Sequence, residues 1–285
     1  MERSGKLIVM PLKPAQGQVY NGTGLGIHFF LGNIIALHDR LTEFWFGWRV
    51  KQLFPEKEKL QAYCRGRSAD MDFNALGKSQ GIRYWLSGTY KEAADGIRVF
   101  LTLSDTVAQT VFSCEMKMDT GRHFETFYTD LFSWFGSCGL PFSEAQASRA
   151  SWPEKIDAAG LDLLGKAVET TYLSYIEGTG NEIAIPMDAF KKSVAYSPES
   201  FLAHDLYAWA LVKNKSYTKA EGSFCTALEF NKNGLGALAG LMWCAVFTGN
   251  RRDADKYALA KADARNDDPK KAAAFVEKKF NQDRP

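Results

Sequence analysis

Gly22-Thr23-Gly24-Leu25-Gly26 is the segment whose spacing comes nearest to ligand chemistry, because exposed backbone amides at a glycine-rich helix start attract phosphate groups. A Walker loop needs a Gly-Lys-Ser/Thr that is missing here. The glycines also depart from the G-x-G-x-x-G spacing and lie about ten residues beyond the nearest predicted strand. A flexible turn is the competing reading, and whether Gly22 to Gly26 holds an anion stays open at this point. The four histidines, His28, His38, His123 and His204, show no ligand spacing, so no metal is assigned. No G-x-S-x-G or related hydrolase signature occurs, and no catalytic residue or cofactor is assigned. The acids in Asn266-Asp267-Asp268 fall at a helix boundary, where capping is the expected use. Cys225 and Cys244 sit at small-residue positions and read as packing.

Composition narrows the function classes further. The chain of 285 residues is 46% hydrophobic and 24% charged, which is the balance of a folded globular protein. Its 35 basic and 33 acidic residues leave a net charge of +2, and no Lys/Arg run exceeds two. Binding through phosphate neutralisation needs a concentrated basic face, so neither nucleic acid nor an anionic membrane surface is an expected partner. The apolar run from Leu25 to Leu37 is broken by His28, Gly32 and Asn33 and is short of a spanning helix. The five cysteines are odd in number and lack CxxC spacing, so reduced thiols are expected. With no signal-peptide pattern at Met1 to Lys6, the expected location is cytoplasmic, in a bacterium.

The elements divide by period. Leu7-Ile8-Val9-Met10 reads as a buried strand stopped by Pro11, followed by the Gly-rich turn and a helix with Ile27, Phe30, Leu31, Ile34, His38 and Leu41 on one stripe. Alternation over Phe44 to Val50 predicts a strand. Ser68 is set to cap a helix that Gly81 closes. Ile82, Tyr84, Leu86 and Tyr90 then share one face of a strand. Asp95-Gly96 is the expected hairpin turn, Val99, Leu101 and Leu103 line the returning strand, and Val111 to Met118 forms a third. From Thr120 the period becomes 3.6, with Phe124, Phe127, Tyr128, Leu131, Phe132 and Phe135 on one face, closed by Gly136 and Gly139. Leu140 to Pro153 reads as a connection, and everything beyond about residue 155 as helix. The expected fold class is α+β. An N-terminal mixed α/β, sandwich-like domain with an antiparallel meander spans 1–140, and an all-α domain spans 155–285.

The helical half carries an internal period of 34. Ala220, Phe224 and Ala227, with Tyr217 before them and Ala208 in the preceding helix, resemble the second helix of a tetratricopeptide hairpin. Ala220 maps 34 positions on to Ala254, and Phe224 maps 34 back to Phe190. The expected repeats are therefore 167–200, 201–234 and 235–268, closed by a capping helix after Pro269. The resemblance implies a superhelix with a protein-binding groove. Carried over residue by residue, the groove takes Leu202, Asp205, Trp209, Val212 and Lys213 in the middle repeat. The third repeat supplies Ala239, Trp243, Val246 and Phe247, and the first supplies Tyr175. Tyr175, Trp209 and Trp243 then recur at the repeat spacing, either as anchors for a partner or as core covered by the last helix or the N-terminal domain.

The N-terminal half resembles the TolB amino-terminal-type domain. The likeness rests on the Met10-Pro11-Leu12 end of the first strand and on Leu76-Gly77-Lys78-Ser79-Gln80-Gly81-Ile82-Arg83-Tyr84-Trp85-Leu86-Ser87-Gly88-Thr89-Tyr90, followed by Gly96-Ile97-Arg98-Val99. It departs at Ala108-Gln109-Thr110, where the family usually turns on Thr-Gly, and in the aromatic segment 43–54. The resemblance implies a binding or assembly module, commonly joined to a nucleotide cyclase or DNA-binding effector, and neither is present in this sequence. The expected function is a non-enzymatic scaffold, adaptor or accessory subunit that takes a protein partner, with a homo-oligomer possible. The alternative is a ligand-sensing regulatory module, of the type associated with cyclases and transcription regulators, without its output domain.

Overall fold

The structure is a computed structural model that describes residues 5–17, 21–44, 81–177 and 184–282. It is an α+β protein, a mixed sheet followed by helices. The sheet is ordered β3-β1-β4-β5-β6, with β2 also on β4. Its strands are β1 (Gly5–Val9), β2 (Lys13–Pro14), β3 (Leu41–Phe44), β4 (Ile82–Ala93), β5 (Gly96–Asp105) and β6 (Thr110–Met118). β1 runs parallel to both β3 and β4, while β4, β5 and β6 form the antiparallel meander. Ile82, Tyr84, Leu86 and Tyr90 are buried, as their alternation requires.

Two local expectations shift. Ala93 pairs with Gly96, so the loop residues of the first hairpin are Ala94 and Asp95, and Gly96 begins the returning strand. Gly96 has φ +137°, and a Cβ there would strike the Met118 carbonyl on β6. The glycine is thus needed one step later than a two-residue turn at Asp95-Gly96 would place it. In the second hairpin Gln109 takes the left-handed φ of 54°. The Asp105 carboxylate steadies that turn by accepting from the amides of Val107 and Ala108 and by pairing with Arg83 at 2.8 Å. The strand expected over 44–50 is described only through Phe44, and the helix expected after Ser68 lies outside the described residues.

The Gly-rich segment is not a turn. It is the first turn and a half of α1 (Gly22–Ile35), and every residue of that helix is buried. Asn21 caps it by accepting from the Gly24 amide at 3.1 Å, and its side-chain oxygen also accepts from the Tyr90 hydroxyl. Glycine is required because α1 lies backbone-to-backbone against α4 (Ala158–Glu177). A Cβ on Gly165 would land on the Gly22 carbonyl, and one on Gly24 would land on the Leu12 carbonyl. The Gly24 amide that might have helped cradle an anion is taken by Asn21, and the whole helix start is buried. Helix α1 ends at Ile35, so His38 lies beyond it and Leu41 opens β3.

Leu140 to Pro153 is not only a connection. After α2 (Glu125–Ser137) it contains α3 (Glu144–Ala150), opened by a capping box in which Ser143 accepts from the Gln146 amide and the Gln146 side chain accepts from the Ser143 amide. Beyond α4 come α5 (Met187–Tyr196), α6 (Phe201–Lys213), α7 (Tyr217–Phe230), α8 (Leu235–Phe247), α9 (Arg251–Arg265) and α10 (Pro269–Gln282), each packed on the one before. The starts of α6 and α8, Phe201 and Leu235, lie 34 positions apart, as do the starts of α7 and α9, Tyr217 and Arg251. Phe224 is fully buried over Gly240, where a Cβ would collide with its ring. The first predicted repeat departs from this interval, because α4 begins at Ala158 and runs for 20 residues.

One hydrophobic core joins the sheet, α1 and the helices as far as α9, which adds Ala264. Its hinge is aromatic. Trp152 packs edge-on against Phe30 and Phe201, with ring centroids 5.5 Å away in both cases. A smaller separate core of Met242, Ala245, Val246, Ala254, Ala258 and Val276 fastens α10.

Candidate functional site

The residues expected to line one groove do not share one environment. Leu202 is 0% and Asp205 3% exposed, so both are interior. Trp209 is half-buried and meets the Phe224 ring edge-on at 5.5 Å, within its own helix pair. Val212 and Val246 are buried, Ala239 is half-buried, and Lys213 is exposed at the end of α6. Tyr175 lies on α4, and its side chain is outside the described residues. Trp243 is overlain by the final helix. Phe275 meets it edge-on at 5.9 Å and the Lys279 ammonium lies 5.4 Å from its ring centre. The last helix therefore covers the third expected anchor, Trp243, which is left half-buried.

What remains at the surface is an aromatic strip centred on Phe247, which is 47% exposed. Its ring stacks on Tyr217 at 5.0 Å and on Trp243 at 5.5 Å, with interplanar angles of 25° and 24°. Phe275, 42% exposed, extends the strip across α10. Tyr217 and Phe275 were not among the predicted site residues. Tyr217 meets Phe247 from α7 and Phe275 meets Trp243 from α10, and no local spacing signals either meeting.

A second feature missed in the sequence is a buried acid pair. Glu154 accepts from the Ser200 hydroxyl, from the Trp152 indole N–H at 2.6 Å and from the Leu202 amide at 3.4 Å. Burial outweighs these bonds and pushes its carboxyl up to about 7. Asp205 is raised further, to about 8, by burial and then by the nearby Glu154 charge. One of its oxygens, Oδ1, has no hydrogen-bond partner. Its carboxylate rests against Gly236 in the first turn of α8, whose cap residue, Gly234, has no side chain to offer.

The buried histidines stay neutral. Burial lowers His28 to about 3. His38 accepts from the Arg40 amide at Nδ1, 3.1 Å, so its Nε2–H is the donor to the Leu140 carbonyl at 3.3 Å. Among the described residues no group of three or more His, Cys, Asp or Glu could hold a metal, and no helix is long and apolar enough to cross a membrane. Cys244 is buried, and burial pushes its thiol up to about 12, so it is held as the unreactive thiol.

One further concave feature is a cleft of about 560 Å³ between α2 and α3, floored by Trp152.

No family model matches the sequence, and no curated protein matches it. Among solved structures, the chain is similar to TolB from Acinetobacter baumannii. Identity is 14% and the TM-score 0.33, over 50% of this chain and 30% of that one. The chain thus spans less than a third of the length of the TolB chain it matches.

Proposed function

We propose that this protein is a non-enzymatic, cytoplasmic scaffold or adaptor that takes a protein partner on a tetratricopeptide-type helical stack at 155–285. A TolB amino-terminal-type module at 1–140 precedes that stack. The observation that carries the reading is the strip at Phe247. A large apolar ring, nearly half exposed, is held between two further aromatic rings, with its orientation already fixed. Rigid, partly exposed aromatics of this kind dominate protein-binding energies, because little side-chain freedom is lost when a partner covers them. The equal 34-residue intervals from α6 to α8 and from α7 to α9 support the repeat reading. The strip replaces the expected groove as the contact surface, with Trp243 stacked against Phe247 within it.

The test is a photo-crosslinking residue placed at Phe247 and, as a control, at Leu259, an exposed apolar position on α9. One partner joined in stoichiometric amount from position 247 and not from 259 is the expected result. Equal, unselective labelling from the two sites removes the reading. A second reading, a ligand-sensing module, is favoured by the cleft between α2 and α3.

A further inference from the structure

The cleft between α2 and α3 has a chemical bias strong enough to name its ligand class. Its volume of about 560 Å³ falls in the range of small-molecule sites, about 300–1,000 Å³. From α2 come Glu125, Tyr128, Thr129 and Phe132, which are one helix face because they are spaced i, i+3, i+4 and i+7. From α3 and its end come Glu144, Ser148 and Ser151, with Trp152 beneath. The Tyr128 and Phe132 rings stack at 20°, and Trp152 tilts against Tyr128 at 5.6 Å, so the floor is an aromatic cluster in which Tyr128 and Trp152 are buried and Phe132 is half-buried.

The polar groups around that floor mostly accept. Glu125 and Glu144 are both exposed, and neither has an ion-pair partner among the described residues. No Lys, Arg or His lines the cleft. Of the basic side chains close by along the chain, Arg122 and His123 precede α2 and do not line the cleft, while Arg149 pairs with Asp39 and Lys155 with Glu199. Thr129 and Ser151 spend their hydroxyl protons on the carbonyls of Glu125 and Ala147, at 3.1 and 2.8 Å, and so present lone pairs. The Trp152 N–H is likewise committed, to Glu154 at 2.6 Å. The Tyr128 hydroxyl has no hydrogen-bond partner and can donate as well as accept, so a ligand that brought negative charge would find that donor but would also face two carboxylates. One that brings N–H donors and positive charge meets two carboxylates, hydroxyl lone pairs and aromatic faces. The position of Glu125 and Glu144 in the first turns of their helices explains an acid at each place. It does not explain why both acids line one cleft whose hydroxyls also accept.

We infer that the cleft between α2 and α3 binds an organic cation, an ammonium or guanidinium group on an apolar or aromatic body. The inference gives the ligand-sensing reading its ligand class and is independent of the strip at Phe247.

Calorimetric titration of the full chain with 2-phenylethylammonium, and with its neutral analogue 2-phenylethanol, tests the inference. The cation is expected to bind about tenfold more tightly than the alcohol, the combined size of two half-solvated charge contacts and a cation–π contact. The double variant Glu125→Gln/Glu144→Gln should lose that preference. Ser148→Trp, which fills the cleft from an exposed position, should abolish binding while leaving the melting temperature unchanged. Three results would each overturn the inference. They are no binding of the cation up to about 10 mM, equal affinity for cation and alcohol, and cation binding unchanged in Ser148→Trp. Crosslinking from position 247 is unaffected under any of these outcomes, so the failure of one reading is separate from the failure of the other.

Discussion

Replacing Asp205 by Asn should make the protein more stable at alkaline pH and leave it unchanged near pH 4. The Asp205 carboxyl stands at about 8 in the folded chain against 3.8 for an unburied aspartate. A carboxyl raised on folding is protonated more readily in the native state. Its contribution to stability is therefore largest below pH 3.8, falls as pH climbs toward 8 and is level beyond that. At about 1.4 kcal/mol per pH unit the ceiling on this cost is about 5–6 kcal/mol. Two features reduce it. The carboxylate lies against the first turn of α8, whose exposed amides favour an anion by about 0.3–1 kcal/mol. Part of the rise also comes from Glu154, whose own proton relieves the repulsion. A gain of about 2–3 kcal/mol for Asp205→Asn at pH 8.5 is the expected outcome, shrinking to within about 0.5 kcal/mol at pH 4.5. Urea unfolding at pH 4.5, 6, 7 and 8.5 reads this as a midpoint shift at constant slope. If Asp205→Asn is less stable than the parent at pH 8.5, with the deficit growing as pH rises, the reasoning is refuted. The carboxylate would then be acting as a working cap of α8.

Two other measurements address the fold. Gly165→Ala should cost about 2–4 kcal/mol in urea unfolding, because the added methyl would occupy the place of the Gly22 carbonyl where α1 crosses α4. Gly222→Ala, on α7 with open space around it, should instead gain about 0.5–1 kcal/mol from helix propensity. His28, lowered to about 3, gives full stability above pH 6.5 and loses it as pH falls toward 3, the opposite sense to Asp205. Imidazole nitrogen shifts of His28 should remain those of a neutral ring at pH 5, and titration near 6.5 would contradict its burial.

Much of the architecture could be read from local patterns. The meander was legible because alternation and a glycine beside Asp95 are properties of neighbouring residues, although the turn moved by one position. The helices from Phe201 to Arg265 were legible because small and large apolar residues recur at a fixed interval. Helix α3 went unread in a Ser/Ala-rich stretch, yet Ser143-x-x-Gln146 is a capping box and was available as a local signal. The glycines at 22, 24 and 26 misled for a physical reason. Glycine disfavours a helix by itself, and only the close passage of α4 and of the Leu12 carbonyl makes it necessary there.

The candidate site shows the limit more sharply. Periodicity placed Trp243 on a particular face of α8, but whether that face is open depends on where α10 docks, and Phe275 and Lys279 close it. The meeting of Tyr217, Phe247 and Trp243 likewise joins helices whose order along the chain does not state their contact. Glu154 lies in an irregular stretch with no motif, and only its enclosure by Trp152, Ser200 and Leu202 makes it a buried acid. Sequence by itself determined the fold class, the strand alternation and the 34-residue helix interval, because hydrophobic period is written in adjacent residues. The tertiary structure alone decided which aromatics are surface and which acids are interior, because burial is a property of what distant segments bring against a side chain.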